Sequence, residues 1–366
     1  MPNTATLYQC PACTGPLRFD GGSGKLACDH CGNSYETAVI EALAADKERA
    51  AAAAAQPEWA TEAAGSPWSD AEKAGLRIYS CPACAAEIIC DASTAATSCA
   101  YCGNPAVVPK LFSGSLRPDY VLPFRLEKPA ALEALQKHYK GKRFLPREFT
   151  QQNHIEEIRG IYVPFWLFDC QAEADVCFRA TRVHSSTVRD EQITVTEHFR
   201  LTRGGQVAFQ KIPVDGSTKM PDAHMDAIEP YDYKELRPFS TAYLPGFQAE
   251  RYDVDAATSA ERANVRIRKS VEESFSATVA GYGGCTTEYA NIALAQGEVK
   301  YALLPVWMLN TRWKNQTFTF AMNGQTGKLI GDLPVAWPRV AAWFAGIAAP
   351  LAAVAGLLLY LLGEGL

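Results

Sequence analysis

A chain of 366 residues with 48% apolar and 20% charged side chains and a formal net charge of -5 has the make-up of a folded protein of two or three domains. Wholesale disorder is excluded, because its 26 Gly and 22 Pro are spread through turns and do not form a low-complexity tract. Residues 1–110 carry seven Lys and Arg against twelve Asp and Glu, and the remainder is balanced at 28 of each. Binding to phosphate backbones draws on clustered Lys and Arg, so an acidic N-terminal segment argues against DNA or RNA as the main partner.

Eight of the twelve cysteines fall in four Cys-x-x-Cys pairs. Tyr8-Gln9-Cys10-Pro11-Ala12-Cys13 recurs as Tyr79-Ser80-Cys81-Pro82-Ala83-Cys84, and Cys28-x-x-Cys31-Gly32-Asn33 recurs as Cys99-x-x-Cys102-Gly103-Asn104, always at an offset of 71 residues. Each knuckle offers two thiolates from one tight turn, and two knuckles close a tetrahedral site, so the spacing predicts two structural Zn2+ ions. The first takes Cys10, Cys13, Cys28 and Cys31; the second takes Cys81, Cys84, Cys99 and Cys102. A site with four cysteine ligands has no open position, so the ions are expected to fold two β ribbons and to catalyse nothing. Thiolate ligation needs a reducing compartment, and the start Met1-Pro2-Asn3-Thr4 shows no signal-peptide pattern, so the bulk is expected in the cytoplasm.

The expected organisation is a zinc ribbon at 1–36, a helical and flexible linker at 37–77, a second ribbon at 78–110, a mixed α+β domain at 111–335, and a transmembrane helix at 338–362. Thr37 to Ala55 is Ala-rich with scattered charges and reads as a solvated helix. Trp59 and Trp68 in the linker either pack locally or dock a partner. Tyr120 to Phe124 reads as a strand, Pro129 to Tyr139 as an amphipathic helix with Pro in its first turn, and Asp255 to Val279 as a longer helix with Ile267, Val271 and Phe275 on one face. Asp190 to Leu201 and Gln206 to Val214 suggest a hairpin turning at Gly204-Gly205. Tyr162-Val163-Pro164-Phe165-Trp166-Leu167 echoes Leu303-Leu304-Pro305-Val306-Trp307-Met308, which raises either two related β-rich halves or one strand type used twice. Val340 to Leu362 holds no charge, and its 23 residues span about 34 Å as a helix, enough for a single-pass, tail-anchored protein of the cell membrane. Arg339 beside it favours an N-terminus inside.

Cys90, Cys170, Cys177 and Cys285 lack metal spacing and read as buried apolar residues, and His30 reads as a surface residue. Gly21-Gly22-Ser23-Gly24-Lys25 is not a phosphate loop, since Leu26 stands where Ser or Thr is needed, and reads as a hairpin tip. Gly281-Tyr282-Gly283-Gly284 reads as a helix stop. No catalytic motif is found, so the chain is read as a non-enzyme. Two other classes stay open: a ribbon regulator touching nucleic acid or polymerase, and an enzyme with a site near Asp169, Asp175 and His184.

The two ribbons, Pro164-Phe165-Trp166, Tyr243 to Glu250, Leu304 to Trp307 and Asn323-Gly324-Gln325-Thr326-Gly327-Lys328 together resemble the bacterial TFIIB-type zinc-ribbon membrane proteins, the family of the zinc-ribbon component of the YdjGHI envelope-stress operon. That resemblance implies a membrane adaptor working with PspA-type coiled-coil and SPFH-domain proteins. It carries over the eight cysteines and no catalytic residue.

Overall fold

Residues 160–168 are buried without interruption, as in a strand covered on both faces, whereas further along the same strand Ala172, Ala174, Val176, Phe178 and Ala180 are buried between exposed Glu173, Asp175 and Arg179. One strand, Arg159–Val188, therefore serves two environments. These belong to two compact units: Met1–Thr61, Phe168–Ile212 and Ala260–Val299 form one, and Glu62–Leu167, Pro213–Ser259 and Lys300–Leu366 the other. The computed structural model describes all residues except 1–7, 9, 13–15, 54–58, 62–63, 92–97, 106, 111–114, 153–156, 189–190, 296, 315 and 364–366. The protein is mostly β with a few helices.

The first unit contains the first knuckle region, a separate antiparallel sheet of Leu17–Asp20, Lys25–Cys28 and Ser34–Glu36. Its two outer strands stay largely exposed or half-buried, whereas Leu26 and Cys28 of the middle strand are buried. Gly21 to Gly24 forms the tip of its first hairpin, where Asp20 accepts from the Gly22 and Ser23 amides. The helix Thr37–Ala53 follows, and Gly284–Leu294 pairs antiparallel with residues 172–181. Trp59 packs edge-on to Phe168 at 4.9 Å and donates from Nε1 to Asn264 Oδ1 at 3.1 Å, so it is held by local packing.

Two sequence expectations fail in this unit. The strand Glu191–Asp215 runs unbroken through Gly204 and Gly205, so no hairpin turns there. A Cβ at Gly204 would meet Asp175 Oδ1 at 2.5 Å, and the glycine serves close approach instead of a turn. Cys285 is exposed, because the first half of Gly284–Leu294 faces outward, whereas Cys90, Cys170 and Cys177 are buried as expected. The helix Ala256–Ser276 ends before Gly281 and is closed by the Thr278 hydroxyl on the Phe275 carbonyl.

The second unit builds a sheet with a core on each face. Leu122, Ile161, Val163, Phe165, Leu304, Val306 and Met308 point into one; Trp307, Leu309, Phe318, Phe320 and Met322 point into the other, where helix Lys128–Tyr139 contributes Ala131 and Leu135. Trp68 is buried edge-on against Phe239, again packing locally.

Within this unit one arrangement occurs twice. Gln248 and Ala249 pair in parallel with Ile161 and Tyr162, three residues before Pro164, and Tyr120 and Val121 pair in parallel with Ala302 and Leu303, three residues before Pro305. Gly216 donates to the Pro164 carbonyl and Gly324 to the Pro305 carbonyl, both at 2.8 Å. The Gly216 carbonyl accepts from Asp253 and Val254, as the Gly324 carbonyl accepts from Arg125 and Leu126. Trp166 Nε1 donates to Val254 O at 2.9 Å and Trp307 Nε1 to Leu126 O at 3.0 Å. In each copy the short strand lies against the long Pro-x-Trp strand from elsewhere in the chain.

Both glycines are pinned by neighbours: a Cβ at Gly216 would lie 2.9 Å from Trp166 Nε1, and one at Gly324 would lie 2.7 Å from Phe124 Cδ1. Gly216→Ala and Gly324→Ala are each expected to cost about 1–3 kcal/mol by overpacking, read as a lower denaturant midpoint with an unchanged slope. Wild-type midpoints in both would remove the argument.

The helix Trp337–Gly363 has 27 residues, roughly 40 Å at 1.5 Å per residue, with its described side chains largely exposed. Among the described residues it alone is long and apolar enough to cross a membrane.

Candidate metal centres and the neighbouring cleft

The second knuckle of each repeat is shaped by the same backbone turn. In the first, the Cys28 amide donates to Asn33 O at 2.8 Å and Gly32 to Cys28 O at 2.9 Å; in the second, Cys99 donates to Asn104 O at 2.9 Å and Gly103 to Cys99 O at 3.0 Å. Gly32 and Gly103 have φ of +74° and +71°, a conformation that glycine adopts without cost.

Cys81, Cys84, Cys99 and Cys102 converge with all sulfurs within 4.8 Å, as do Cys10, Cys28 and Cys31. Cys13, the remaining expected ligand of the first site, lies outside the described residues. Sulfur separations of 3.6 Å for Cys10–Cys31, 3.5 Å for Cys81–Cys102 and 3.6 Å for Cys84–Cys99 suit a tetrahedral ion, since ligands at about 2.3 Å place sulfurs roughly 3.8 Å apart. The donor sets therefore fit a soft metal ion, which when bound would cross-link strands that have little core of their own. Burial pushes Cys81 up, but the Cys84 and Ala83 amides and the Cys102 thiol outweigh it and bring it down to about 7. Burial takes Cys84 up to about 11 and raises Cys99 as well. His30 is exposed outside the first cluster.

The two clusters sit in unlike surroundings. At the offset of 71, exposed Asp29 and His30 correspond to buried Ala100 and Tyr101, and Leu17-Arg18-Phe19 corresponds to Ile88-Ile89-Cys90. Strand Glu87–Asp91 is accordingly stitched into the second unit's sheet, Ala249 pairing with Ile89 and Glu250 with Ile88. Asn310 Nδ2 donates to Ala100 O at 2.8 Å, and Arg159 to Ser98 O at 3.1 Å. The second cluster is thus built into the second unit's large sheet, whereas among the described residues the strands of the first pair only with one another.

Tyr101, between two ligands, donates its hydroxyl to Glu250 Oε2, while Ser217 donates to Glu250 Oε1 at 2.7 Å. Glu250 is 1% exposed, and burial pushes its carboxyl up to about 8 despite those two hydroxyls. By strand register its counterpart in the other copy of the arrangement is Leu122, which is fully buried. A cavity of about 540 Å³ adjoins Glu250, lined also by Glu87, Lys219, Arg251, Asp253 and Asp255. Lys219 pairs with Asp253 at 3.1 Å and Arg251 with Glu87 at 2.6 Å. Burial acts to raise Asp253, yet the Thr218 hydroxyl and amide and the Lys219 ammonium leave it below its ordinary value. Sequence reading missed Tyr101, Ser217 and Glu250; the substitution of Ala100-Tyr101 for Asp29-His30 was the available signal.

Asp169, Asp175 and His184 do not converge. They lie along one extended strand, at about 3.3 Å per residue roughly 20 Å and 30 Å apart in succession. His184 faces Glu197 at 3.3 Å on the surface, and Asp169 accepts from the Lys211 amide.

The chain is 37% identical over 341 residues to a Bacillus subtilis (strain 168) protein described as "Uncharacterized protein YdjG", covering 93% of this chain and 94% of that one. No family model and no solved structure matches.

Proposed function

The chain belongs to the family of Bacillus subtilis YdjG, and from that premise we propose that it is a membrane-anchored adaptor whose cysteine clusters hold two structural Zn2+ ions and whose cytoplasmic surface recruits partner proteins. The carrying observation is the contrast between the clusters. One is built into a buried core, whereas the other lies at a small separate sheet that presents Phe19, 58% exposed, on a segment of acidic balance. Such a sheet is suited to protein contacts and poorly suited to phosphate backbones. The apolar C-terminal helix would fix it at the membrane as a TFIIB-type ribbon, and PspA-type coiled-coil and SPFH-domain proteins are the partners proposed, in an envelope-stress role. Arg339 at the start of that helix supports an N-terminus in the cytoplasm.

The test is purification from gently cross-linked, detergent-solubilised membranes, comparing wild type with Cys28→Ser/Cys31→Ser. Partners that survive nuclease and vanish in the variant are expected. Nuclease-sensitive capture of polymerase or nucleic acid would replace the adaptor with a nucleic-acid-linked regulator.

A second reading, an enzyme in the α+β region, draws on Glu250 beside its cavity. It is the weaker one, since neighbouring Asp253 is held ionised and the cavity's cations are already paired.

A further inference from the structure

The second unit carries a charged feature that neither the metal centres nor the cleft uses. Between Glu133 and Glu148 the chain has no acidic residue, and Lys137, Lys140, Lys142, Arg143 and Arg147 are all exposed. This stretch leaves helix Lys128–Tyr139, turns at Gly141 with φ +81°, and enters the short helix Arg147–Gln152.

Its position is set by contacts to the start of the apolar helix. The Ala336 amide donates to Phe144 O at 2.8 Å, and Arg339 Nη1 donates to Leu145 O at 2.7 Å. Phe144 meets Trp343 edge-on at 6.4 Å, and the Arg143 guanidinium lies 5.1 Å over the Trp343 ring. Beneath the loop is a cavity of about 360 Å³ lined by residues 141–145 and by Leu333, Pro334 and Val335. Phe144, Val335, Trp337 and Trp343 are 41%, 47%, 73% and 45% exposed, a high proportion for such large apolar groups.

Aromatic side chains at the first turns of a spanning helix settle at the level of lipid headgroups. A loop fastened to those turns lies at the same depth, its five cations facing phosphodiesters and its apolar floor facing the upper acyl chains. We infer that Lys137–Arg147 and the first turns of Trp337–Gly363 form a binding surface for phospholipids of net negative headgroup charge. The inference rests on the membrane-anchor reading above. Charge complementarity selects the occupant: a zwitterionic headgroup carries its own cation and gains little from five more, whereas an anionic headgroup is drawn to each. A partner protein would have to reach a surface that the bilayer already covers.

The full chain is reconstituted into phosphatidylcholine vesicles containing a trace of dansyl-labelled phosphatidylglycerol or of dansyl-labelled phosphatidylcholine, and energy transfer from tryptophan is compared. Transfer to the anionic probe is expected to exceed transfer to the zwitterionic one by roughly three-fold or more, and to lose most of that excess in high salt. The Lys137→Gln/Lys140→Gln/Lys142→Gln variant, which spares Arg143 and its ring contact, should bring the ratio close to one. Equal transfer in wild type overturns the inference even if the variant does not fold, and so does selectivity retained in a folded variant. A chain that floats with neither vesicle removes the anchor itself, an outcome distinct from insertion without selectivity.

Discussion

Cys99→Ser is expected to abolish the cooperative unfolding of the whole second unit, whereas Cys28→Ser should unfold only the small sheet around Leu17 to Glu36. A structural metal contributes on the order of 10 kcal/mol of apparent folding free energy, and a typical domain has only about 5–15 kcal/mol in total. At the second cluster that loss falls on a core: Cys99, Ala100 and Tyr101 are buried there, and the Glu87–Asp91 strand pairs with Gln248–Glu250. Removing one thiolate also leaves three sulfurs and the Tyr101–Glu250 contact without their organising ion. At the first cluster the strands, among the described residues, pair only with each other, and the two that flank the strand of Leu26 and Cys28 are largely exposed or half-buried. Amide hydrogen exchange separates the cases: protection should vanish across residues 76–91, 120–122, 161–167 and 302–308 in Cys99→Ser, and only across residues 17–36 in Cys28→Ser. Equal losses from both substitutions would mean that the two sites are energetically interchangeable.

Glu250→Gln should gain stability over wild type as pH rises. The folded carboxyl titrates near 8 against an ordinary 4.5, so between those values the folded state keeps a proton that the unfolded state has released. The Glu250 contribution to wild-type stability therefore falls from about pH 4.5 up to about pH 8 and is level above that, by an amount on the order of 5 kcal/mol at most. Gln keeps the shape and cannot ionise. The difference in melting temperature, variant minus wild type, should widen steadily from pH 5 to pH 8, with metal release cancelling because both proteins share it. A difference that stays flat with pH would show that Glu250 is ionised in the fold or reached by water.

What the sequence made legible follows from how local each signal is. The knuckles, the helix near Lys128–Tyr139 and the apolar tail depend on spacing within a few residues, and they appear close to where periodicity places them. The Pro-x-Trp echo was visible too, but the carbonyls its indoles bond, Val254 and Leu126, lie 88 and 181 residues away. The hairpin at Gly204-Gly205 failed because a glycine pair signals either a turn or a close approach, and only Asp175 across the sheet decides which. Incorporation of the second ribbon was hinted at by Ile88-Ile89-Cys90, an unbroken apolar run that a solvated ribbon would not need. Glu250 could not be found this way, since its carboxyl is raised by burial, and the Tyr101 and Ser217 side chains that enclose it are remote in sequence.

The exchanged pairing of the short strands bears on how the chain is made. Tyr120 and Val121 pair with Pro238 and Arg237 on one edge, but the other edge is filled by Ala302 and Leu303, so a nascent chain that has emerged as far as residue 290 holds that strand with one edge open. The partners are followed within a few dozen residues by the apolar helix that begins at Trp337. Closure of the sheet and synthesis of the apolar helix thus become nearly simultaneous events. Until then the unfinished sheet offers an unsatisfied edge, and the newly made protein depends on being shielded up to the moment Ala302 and Leu303 leave the ribosome.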